Sequence, residues 1–358
     1  MHEVVSPYRE PLFTALAHQP ELELTVVLCG EKDARRSWTV NLDRLPYPWV
    51  MARSKAFVVG RVEKWTWFVP HNLPATLDKL RPDVVVVGGY ASLPAAVSLH
   101  WAQKRKVPAV MWSESIRHHR GGFIRSLKHA MVSRATTYVV PGELARHHLV
   151  SLGAPSSQIF RSPNCVDLNR FRPGDSTPRL VRTLLLCGRL VPKKGWHLFV
   201  DALAEADAAR RTNVLVVGEG PGRVHLEHRL AAHRIRAMFT GHLEYERLPE
   251  VFQRADAVVF PTLDDVWGFS LQEAMACGLP AISSIRAGAT AELVEDGKNG
   301  WVVEPDVPSI ARGVNNLLAL TPSGWAAMSE AARAAAESLS LDNAVRGFER
   351  AIRSADAT

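Results

Sequence analysis

Apolar residues recur along the chain in short unbroken runs that are separated by longer amphipathic segments. Runs of about four to six apolar residues without polar alternation are typical of strands that are buried on both faces of a parallel sheet. The first series is LTVVLC (24–29), DVVVVGG (83–89), AVMW (109–112) and TYVVPG (137–142). The second series is TLLLCG (183–188), NVLVVGEG (213–220), AVVFPT (257–262) and AISS (281–284). With the intervening helical segments as right-handed crossovers, the pattern predicts an α/β fold in which a doubly wound parallel sheet occurs twice.

The break between the two series falls at residues 161–179, where proline and glycine interrupt any regular element. These residues are Pro163, Pro173, Gly174 and Pro178. A length of 358 residues also suits two domains. The predicted divisions are an N-terminal Rossmann-like domain over 1–162, a linker over 163–182 and a C-terminal Rossmann-like domain over 183–358. The last helix could cross back to the N-terminal domain. Ligands of open α/β sheets bind at the carboxyl ends of the strands, so we expect the two domains to face each other across a cleft.

The composition excludes several classes of protein. An apolar fraction of 47% with 22% charged residues is typical of a globular protein rather than a disordered one. The four cysteines (Cys29, Cys165, Cys187 and Cys277) show no metal-ligand spacing, which favours reduced thiols. The N-terminal MHEVVSPYREPLF lacks the pattern of a signal peptide, and no run reaches the roughly 18 apolar residues of a spanning helix. A cytoplasmic location is therefore expected.

The net charge of +7 and the pI near 9.4 favour an anionic partner. An anionic ligand, nucleic acid or an acidic lipid surface would each fit, and so would a basic composition that serves solubility alone. The basic clusters QKRK (103–106) and RSLKH (125–129) are compatible with a membrane-facing surface and equally with a solvated helix face.

Two cations stand five residues apart in CGRLVPKKG (187–195), where a predicted strand gives way to a helix. Arg189 and Lys194 could hold a diphosphate there and stabilise its departure, or they could be ordinary surface cations. VVGEGPGR (216–223) is also a glycine-rich turn, but it does not fit G-x-G-x-x-G. This argues against a nicotinamide-dependent Rossmann enzyme, while its glycines would still permit close approach of a phosphate.

The segment DDVWGFSLQEAMACG (264–278) carries two acids, Asp265 and Glu273, on either side of a Trp-Gly turn. A local interpretation makes Ser270 the N-cap of a helix and Glu273 its capping-box partner. That interpretation leaves Asp265 unexplained. The alternative places both acids against polyol hydroxyls, with the helix N-terminus between them binding phosphate.

The pattern resembles glycosyltransferase family 4, the retaining nucleotide-sugar transferases of the GT-B fold, whose signature E-x7-E stands here as Asp265-x7-Glu273. Further segments in family order are PGELARHHLVSLGAPSSQIFRSPNCVD (141–167), GRLVPKKGWHLFVDAL (188–203), VVGEGP (216–221), FTGHLEYERLPEVFQRADAVVFPT (239–262) and GATAELVEDGKNGWVV (288–303). The resemblance implies an N-terminal acceptor domain and a C-terminal domain for the nucleotide sugar. It also implies front-side attack assisted by the leaving phosphate, with no metal or other cofactor.

The resemblance assigns roles residue by residue. Those expected to act in catalysis are Arg189, Lys194 and Asp265. Those expected to bind the donor are Gly188, Gly218, Gly241, Leu243, Gly268, Phe269, Ser270, Leu271 and Glu273, with Glu273 on the ribose and the backbone of 241–243 on the base. Candidates for the acceptor side are His2, Glu3, Arg9, Tyr90, Glu114 and His119. The Trp pair of EKWTWF (63–68) is expected in the core, or alternatively along an acceptor groove.

Two departures from the family pattern matter. Asp265 is one methylene shorter than the usual Glu, and Ser6-Pro7-Tyr8-Arg9 replaces the glycine-rich loop after the first strand, which itself looks clipped. The prediction is a hexosyltransferase that uses a UDP-sugar, or a GDP-sugar, and a small-molecule, saccharide or lipid-linked acceptor. A monomer or weak dimer is expected, with peripheral membrane contact as an option and without a nucleic-acid partner. The alternatives are a nucleotide-sugar epimerase or hydrolase of the same fold and a non-catalytic nucleotide-sugar-binding protein.

Overall fold

The chain forms two compact units in the computed structural model. The N-terminal unit contains Met1–Cys165 and Leu341–Thr358, and the C-terminal unit contains Val166–Ser340. The structure describes residues 1–34, 40–60, 65–116, 122–174, 181–206, 208 and 211–357. The first division falls between Cys165 and Val166, within the segment predicted to be a linker.

Parallel strands make up the main sheet of the N-terminal unit. The described strands are β1 (Val26–Leu28), β2 (Trp49–Met51), β3 (Ser54–Val59), β4 (Trp65–Pro70), β5 (Val85–Gly88), β6 (Ala109–Trp112), β7 (Thr137–Val140) and β8 (Ile159–Arg161). The helices among them are α1 (Glu10–Ala17), α2 (Leu73–Leu80), α3 (Leu93–Arg105), α4 (Gly122–Val132) and α5 (Glu143–Ser151). Strands β5-β6-β7-β8 form one parallel sheet, β1-β2 a parallel pair and β3-β4 an antiparallel hairpin. All four strands predicted from the first series of apolar runs are confirmed.

The first residues of the chain lie between β1 and β5. The amide of His2 donates to Val27 O at 2.8 Å, and the amide of Gly88 donates to Met1 O at 3.2 Å. Residues 1–2 thus hold the position of a strand between the parallel pair and the larger sheet. This explains why MHEVV looked like a clipped strand.

The C-terminal unit is built on a six-stranded parallel sheet in the order β11-β10-β9-β12-β13-β14. Its strands are β9 (Arg182–Cys187), β10 (Thr212–Val217), β11 (Arg236–Gly241), β12 (Ala257–Phe260), β13 (Ala281–Ser284) and β14 (Gly300–Val303). Its helices are α6 (Trp196–Glu205), α7 (Arg223–Ala232), α8 (Leu248–Phe252), α9 (Phe269–Ala276), α10 (Gly288–Leu293), α11 (Val307–Leu318) and α12 (Pro322–Ser338). Apolar clusters cover both faces of the sheet, so the second series of runs is confirmed as doubly buried strands.

The last helix, α13 (Leu341–Asp356), packs in the N-terminal unit. Two buried hydroxyls donate to its backbone: Thr137 Oγ1 to Ala351 O and Ser162 Oγ to Ala344 O, both at 2.9 Å. The ring of Phe348 meets Trp112 edge-on with centroids 4.9 Å apart. The helix therefore completes the core of a unit whose other residues lie far earlier in the sequence.

The β3-β4 hairpin departs from the expectation for the Trp pair. Trp65 and Trp67 are exposed to solvent on β4, so their assignment to the core is wrong. The neighbouring Phe68 is buried instead, where its ring packs against the backbone at Gly30. No helix in the part of the chain that the structure describes is long and apolar enough to cross a membrane.

Candidate active site

Three glycines lie side by side at the carboxyl ends of adjacent strands in the C-terminal unit. Gly188 follows β9, Gly218 follows β10 and Gly241 ends β11. The amide of Gly188 donates to Val217 O and that of Gly218 to Gly241 O, both at 2.9 Å. All three glycines have positive φ, and a Cβ built on Gly218 would lie 2.1 Å from Gly188 O. Glycine is needed here both for conformation and for the close approach of neighbouring loops.

A second close approach positions the cationic loop after β9. The turn Pro192–Lys194 ends at Gly195, whose φ is 70° and whose added Cβ would lie 1.9 Å from Pro261 O. The turn is therefore pressed against the segment that follows β12. Gly195 was not among the residues predicted from the sequence, although its position directly after Lys193-Lys194 and before a helix is a signal for such a turn.

Lys194 and Asp265 form an ion pair, in which Lys194 Nζ donates to Asp265 Oδ2. Their side chains are 20% and 18% exposed, so the pair is shielded yet reachable from solvent. Arg189, which lies just past Gly188 in the same loop, is half-buried. The structure thus brings together two of the three residues predicted to act in catalysis, and they reach each other from loops after different strands.

The loop that carries Asp265 is fixed by its backbone. The amide of Asp265 donates to Arg286 O, and the amide of Gly288 donates to Asp265 O, both at 3.1 Å. The buried indole of Trp267 anchors the next turn, because its Nε1 donates to Gln272 Oε1 at 2.9 Å. The carboxylate of Asp265 therefore projects from a rigid strand-like position.

Helix α9 begins differently from the capping-box prediction. Its N-cap is Gly268, with a φ of 112°, so Ser270 lies inside the first turn and that interpretation is wrong. The Ser270 hydroxyl instead donates to Cys187 O at 3.3 Å, which ties the helix to the end of β9. Among the described residues, no side chain caps this helix N-terminus. The amide-rich turn from Gly268 to Leu271 is thus directed at the same strand ends as the cations, as anion binding requires.

Glu273 lies one turn into α9 and is buried, with 4% of its surface exposed. Burial raises the pKa of Glu273 to about 7, and a hydrogen bond from the Tyr245 hydroxyl partly opposes that shift. Burial, together with the adjacent Glu273 charge, raises the pKa of Tyr245 as well. Tyr245 was not among the residues predicted from the sequence, although its place two residues after the 241–243 segment expected at the base could have suggested it.

The environment of Glu273 gives a testable pH dependence. Its pKa is about 7 in the folded chain and 4.5 in the reference state, so the folded state binds more protons between these values. Stability therefore falls as pH rises through that window, by about 3 kcal/mol in total. We expect Glu273→Gln to be more stable than the wild type by roughly this amount above about pH 8 and equal to it near pH 4.

Urea unfolding of both proteins across this pH range measures the effect. Glu295→Gln is a matched control, because the Glu295 side chain is exposed and pairs with Lys298 at the surface. Parallel pH profiles for the wild type and Glu273→Gln would contradict a pKa of Glu273 that burial raises.

The segment predicted to hold a nucleobase lies beside a charged cluster. A Cβ on Gly241 would lie 2.8 Å from Glu219 Oε1, and Arg223 pairs with both Glu219 and Glu227. Leu243 is half-buried against the core of the same unit. The 241–243 backbone is thus flanked by polar side chains from the loop and helix after β10.

Three of the acceptor candidates in the N-terminal unit, Arg9, Glu114 and His2, lie together near Trp112. Buried Arg9 donates to Glu114 and, at 2.7 Å, to Asn164 Oδ1, while its guanidinium stacks 4.2 Å from the Trp112 ring centroid. His2 packs against Trp112, with ring centroids 5.9 Å apart. Burial and the nearby Arg9 lower the pKa of His2 to about 4. Asn164 was missed, since it lies in the segment predicted as a linker.

The other acceptor candidates are placed differently. Tyr90 is buried and its hydroxyl lies 2.7 Å from His148 Nε2. The backbone carbonyl of Glu3 accepts hydrogen bonds from the amides of Cys29 and Gly30, both at 3.0 Å. His119 lies outside the described residues. Within the part of the chain that the structure covers, no group of His, Cys, Asp and Glu has the arrangement of a metal site.

Solved structures match nearly the whole chain. The Anabaena protein HepE, solved with UDP and glucose, has a TM-score of 0.74 at 16% identity and covers 99% of each chain. Sucrose-phosphate synthase from Thermosynechococcus elongatus has a TM-score of 0.73 at 17% identity and covers 98% of each chain. The fold is GT-B. Two Rossmann-like units with parallel sheets are therefore confirmed.

Sequence relatives extend the comparison beyond the GT-B fold. Residues 177–335 match the family described as Glycosyl transferases group 1. The glycogen synthase of Mycobacterium tuberculosis is 30% identical over 280 residues, which cover 73% of this chain and 65% of the relative. A GDP-mannose-dependent alpha-(1-6)-phosphatidylinositol monomannoside mannosyltransferase of Mycolicibacterium smegmatis is 34% identical over 213 residues, 52% of this chain and 54% of the relative. The chain thus spans less than two thirds of the length of these relatives.

Proposed function

We propose that this GT-B protein is a retaining glycosyltransferase of family 4 that moves a sugar from a nucleoside diphosphate to an acceptor hydroxyl. The observation that carries the proposal is the pairing of Lys194 with Asp265 beside the uncapped N-terminus of α9. Cation, carboxylate and helix amides come from separate loops but meet at one edge of the sheet. The segment matching the group 1 family, residues 177–335, includes every one of these groups.

Each group suits one part of a nucleotide sugar. Arg189, Lys194 and the first amides of α9 would bind the diphosphate and stabilise its departure, which is the task a metal ion performs in other enzymes. Glu273 would accept hydrogen bonds from the ribose, and the 241–243 backbone would meet the base. Asp265 would accept hydrogen bonds from the transferred sugar.

The Lys194–Asp265 pair also fits this arrangement by its charge. Lys194 and Asp265 neutralise each other, and a bound donor would give the lysine a phosphate oxygen and the carboxylate a sugar hydroxyl. An ion pair at a half-buried position is stronger than one on the surface. The pair therefore also holds the side chains of Lys194 and Asp265 in place at the proposed site.

The relatives guide the choice of donor and acceptor. We favour a UDP-sugar, because HepE was solved with UDP, and retain a GDP-sugar because the Mycolicibacterium smegmatis relative is named as GDP-mannose-dependent. That relative's name also includes a phosphatidylinositol monomannoside, which supports testing lipid-linked acceptors beside soluble saccharides.

A thermal-shift screen across UDP-, GDP- and TDP-sugars tests the proposal first. A donor present at one hundred times its dissociation constant stabilises the folded chain by about 2.7 kcal/mol, which is readily measured. The stabilising donor is then supplied in radiolabelled form, with and without acceptors, and the anomeric configuration of the product is determined.

The outcomes separate the candidate functions. Transfer, or slow hydrolysis of the donor with retained configuration, supports the transferase. An epimerised nucleotide sugar would indicate an epimerase, and stabilisation without any turnover would indicate a binding protein. Failure of every nucleotide sugar to stabilise the chain would contradict all three.

A further inference from the structure

Helix α4 presents an apolar surface to solvent. Phe123 is 84% exposed, Leu127 57% and Ile124 50%. Every residue from Gly122 to Ala130 is at least partly exposed, and only the last turn of the helix is buried. Single exposed apolar residues are ordinary, but three on adjacent positions of one helix form a patch that needs explanation.

The helix is held to the unit by its polar side. Arg125 Nη2 donates to Ser151 O at 3.2 Å, and His129 Nδ1 lies 2.7 Å from Leu152 O, so both contact the end of α5. Residues three and four apart share a helix face, which places Arg125 with His129 and places Phe123 with Leu127 on a different side. Met131 and Val132 bury the last turn of the helix, and the apolar side chains of its first two turns stay exposed although the helix is held in place.

The stretch of sequence that contains α4 carries only basic charges. No Asp or Glu occurs between Glu114 and Glu143, whereas this stretch contains five basic side chains. They are Arg117, Arg120, Arg125, Lys128 and Arg134. Lys128 borders the apolar patch on α4 itself. An anionic partner would neutralise these charges, while two copies of this chain meeting through α4 would bring like charges together.

We propose that α4 docks the N-terminal unit on an anionic lipid bilayer. Phe123, Ile124 and Leu127 would enter the boundary between headgroups and acyl chains, and Lys128 would meet lipid phosphates at the edge of the patch. A short helix with large apolar side chains on one side and basic residues beside them has the composition of an interfacial helix. This docking requires no nucleotide sugar, so it stands or fails independently of the proposed catalysis.

Sedimentation of the intact protein with vesicles tests this proposal. We expect the wild type to bind vesicles of phosphatidylcholine mixed with phosphatidylglycerol, to release them as salt is raised, and to bind pure phosphatidylcholine poorly. Phe123→Ser and Leu127→Ser should each weaken binding by about tenfold, from the lost apolar contact. Lys128→Gln should weaken it by about fivefold.

The control is Val224→Ser. Val224 is 62% exposed on α7 of the other unit, so its loss removes a comparable apolar surface and should leave vesicle binding unchanged. Phe123, Leu127 and Val224 are exposed, so each of these three variants should melt at the wild-type temperature, which distinguishes lost docking from lost folding. Lys128 is half-buried with its Nζ 5.6 Å from the Tyr90 ring centroid, so the melting temperature of Lys128→Gln is measured beside its vesicle binding.

Three results would overturn the proposal. They are failure of the wild type to bind anionic vesicles, equal binding by the α4 variants and the wild type, and loss of binding in Val224→Ser. A wild-type dimer in analytical ultracentrifugation that dissociates in Phe123→Ser would instead assign the patch to a second copy of the chain.

Discussion

Replacement of Lys194 by alanine is expected to lower the rate of sugar transfer by about 10³-fold, because removing one preorganised donor from a developing anion costs on this scale. The lysine is presented by a turn that Gly195 holds against the backbone at Pro261. The loss should appear mainly in kcat, since charge on the diphosphate grows as the glycosidic bond breaks.

The comparison for this variant is Lys298→Ala, which removes the same charge from a surface pair with Glu295. Lys298→Ala should transfer sugar at the wild-type rate. Steady-state kinetics with the donor found by thermal shift gives both values. Activity of Lys194→Ala within tenfold of the wild type would refute a role for this cation in departure of the diphosphate.

Replacement of Gly218 by alanine is expected to destabilise the chain by about 4 kcal/mol, the sum of left-handed backbone strain and overlap with neighbouring atoms. The φ of Gly218 is 123°, and the new Cβ would lie 2.1 Å from Gly188 O, a backbone atom that can move only with its strand. Differential scanning calorimetry should show a fall of about 10 °C in the unfolding temperature.

Gly297→Ala provides the matched control in the same unit. Gly297 also has a positive φ, 74°, but nothing lies within 4 Å of the added Cβ. It should therefore lose only the conformational part, about 1 kcal/mol. Equal losses for the two variants would show that close packing of the strand-end loops contributes nothing, contrary to the structure.

In the C-terminal unit, the strands predicted from the sequence are those that are buried on both faces of the sheet. β9, β10, β12 and β13 are covered on both faces, so their apolar runs are unbroken and easily recognised. β11 was missed because its first three residues, Arg236 to Met238, are exposed at the edge of the sheet and carry no such run. The hairpin β3-β4 was missed as well. Its tryptophans were expected in the core, whereas they lie on an exposed hairpin.

The candidate site shows a similar division. Asp265, Glu273 and Lys194 could be proposed from the sequence because each belongs to a motif with fixed spacing at a strand end. Tyr245 was not, since its link to Glu273 depends on how the loop after β11 meets α9. The capping-box prediction failed for the opposite reason: a correct local pattern at Ser270 was overridden by Gly268, which alone adopts the φ that starts α9.

The placement of α13 bears on how the chain is made. The C-terminal unit is one continuous stretch, Val166–Ser340, and can fold as soon as it leaves the ribosome. The N-terminal unit is synthesised first but lacks Phe348 against Trp112 until the final residues emerge. During translation the N-terminal core around Trp112 would therefore remain incomplete after the C-terminal unit has been synthesised.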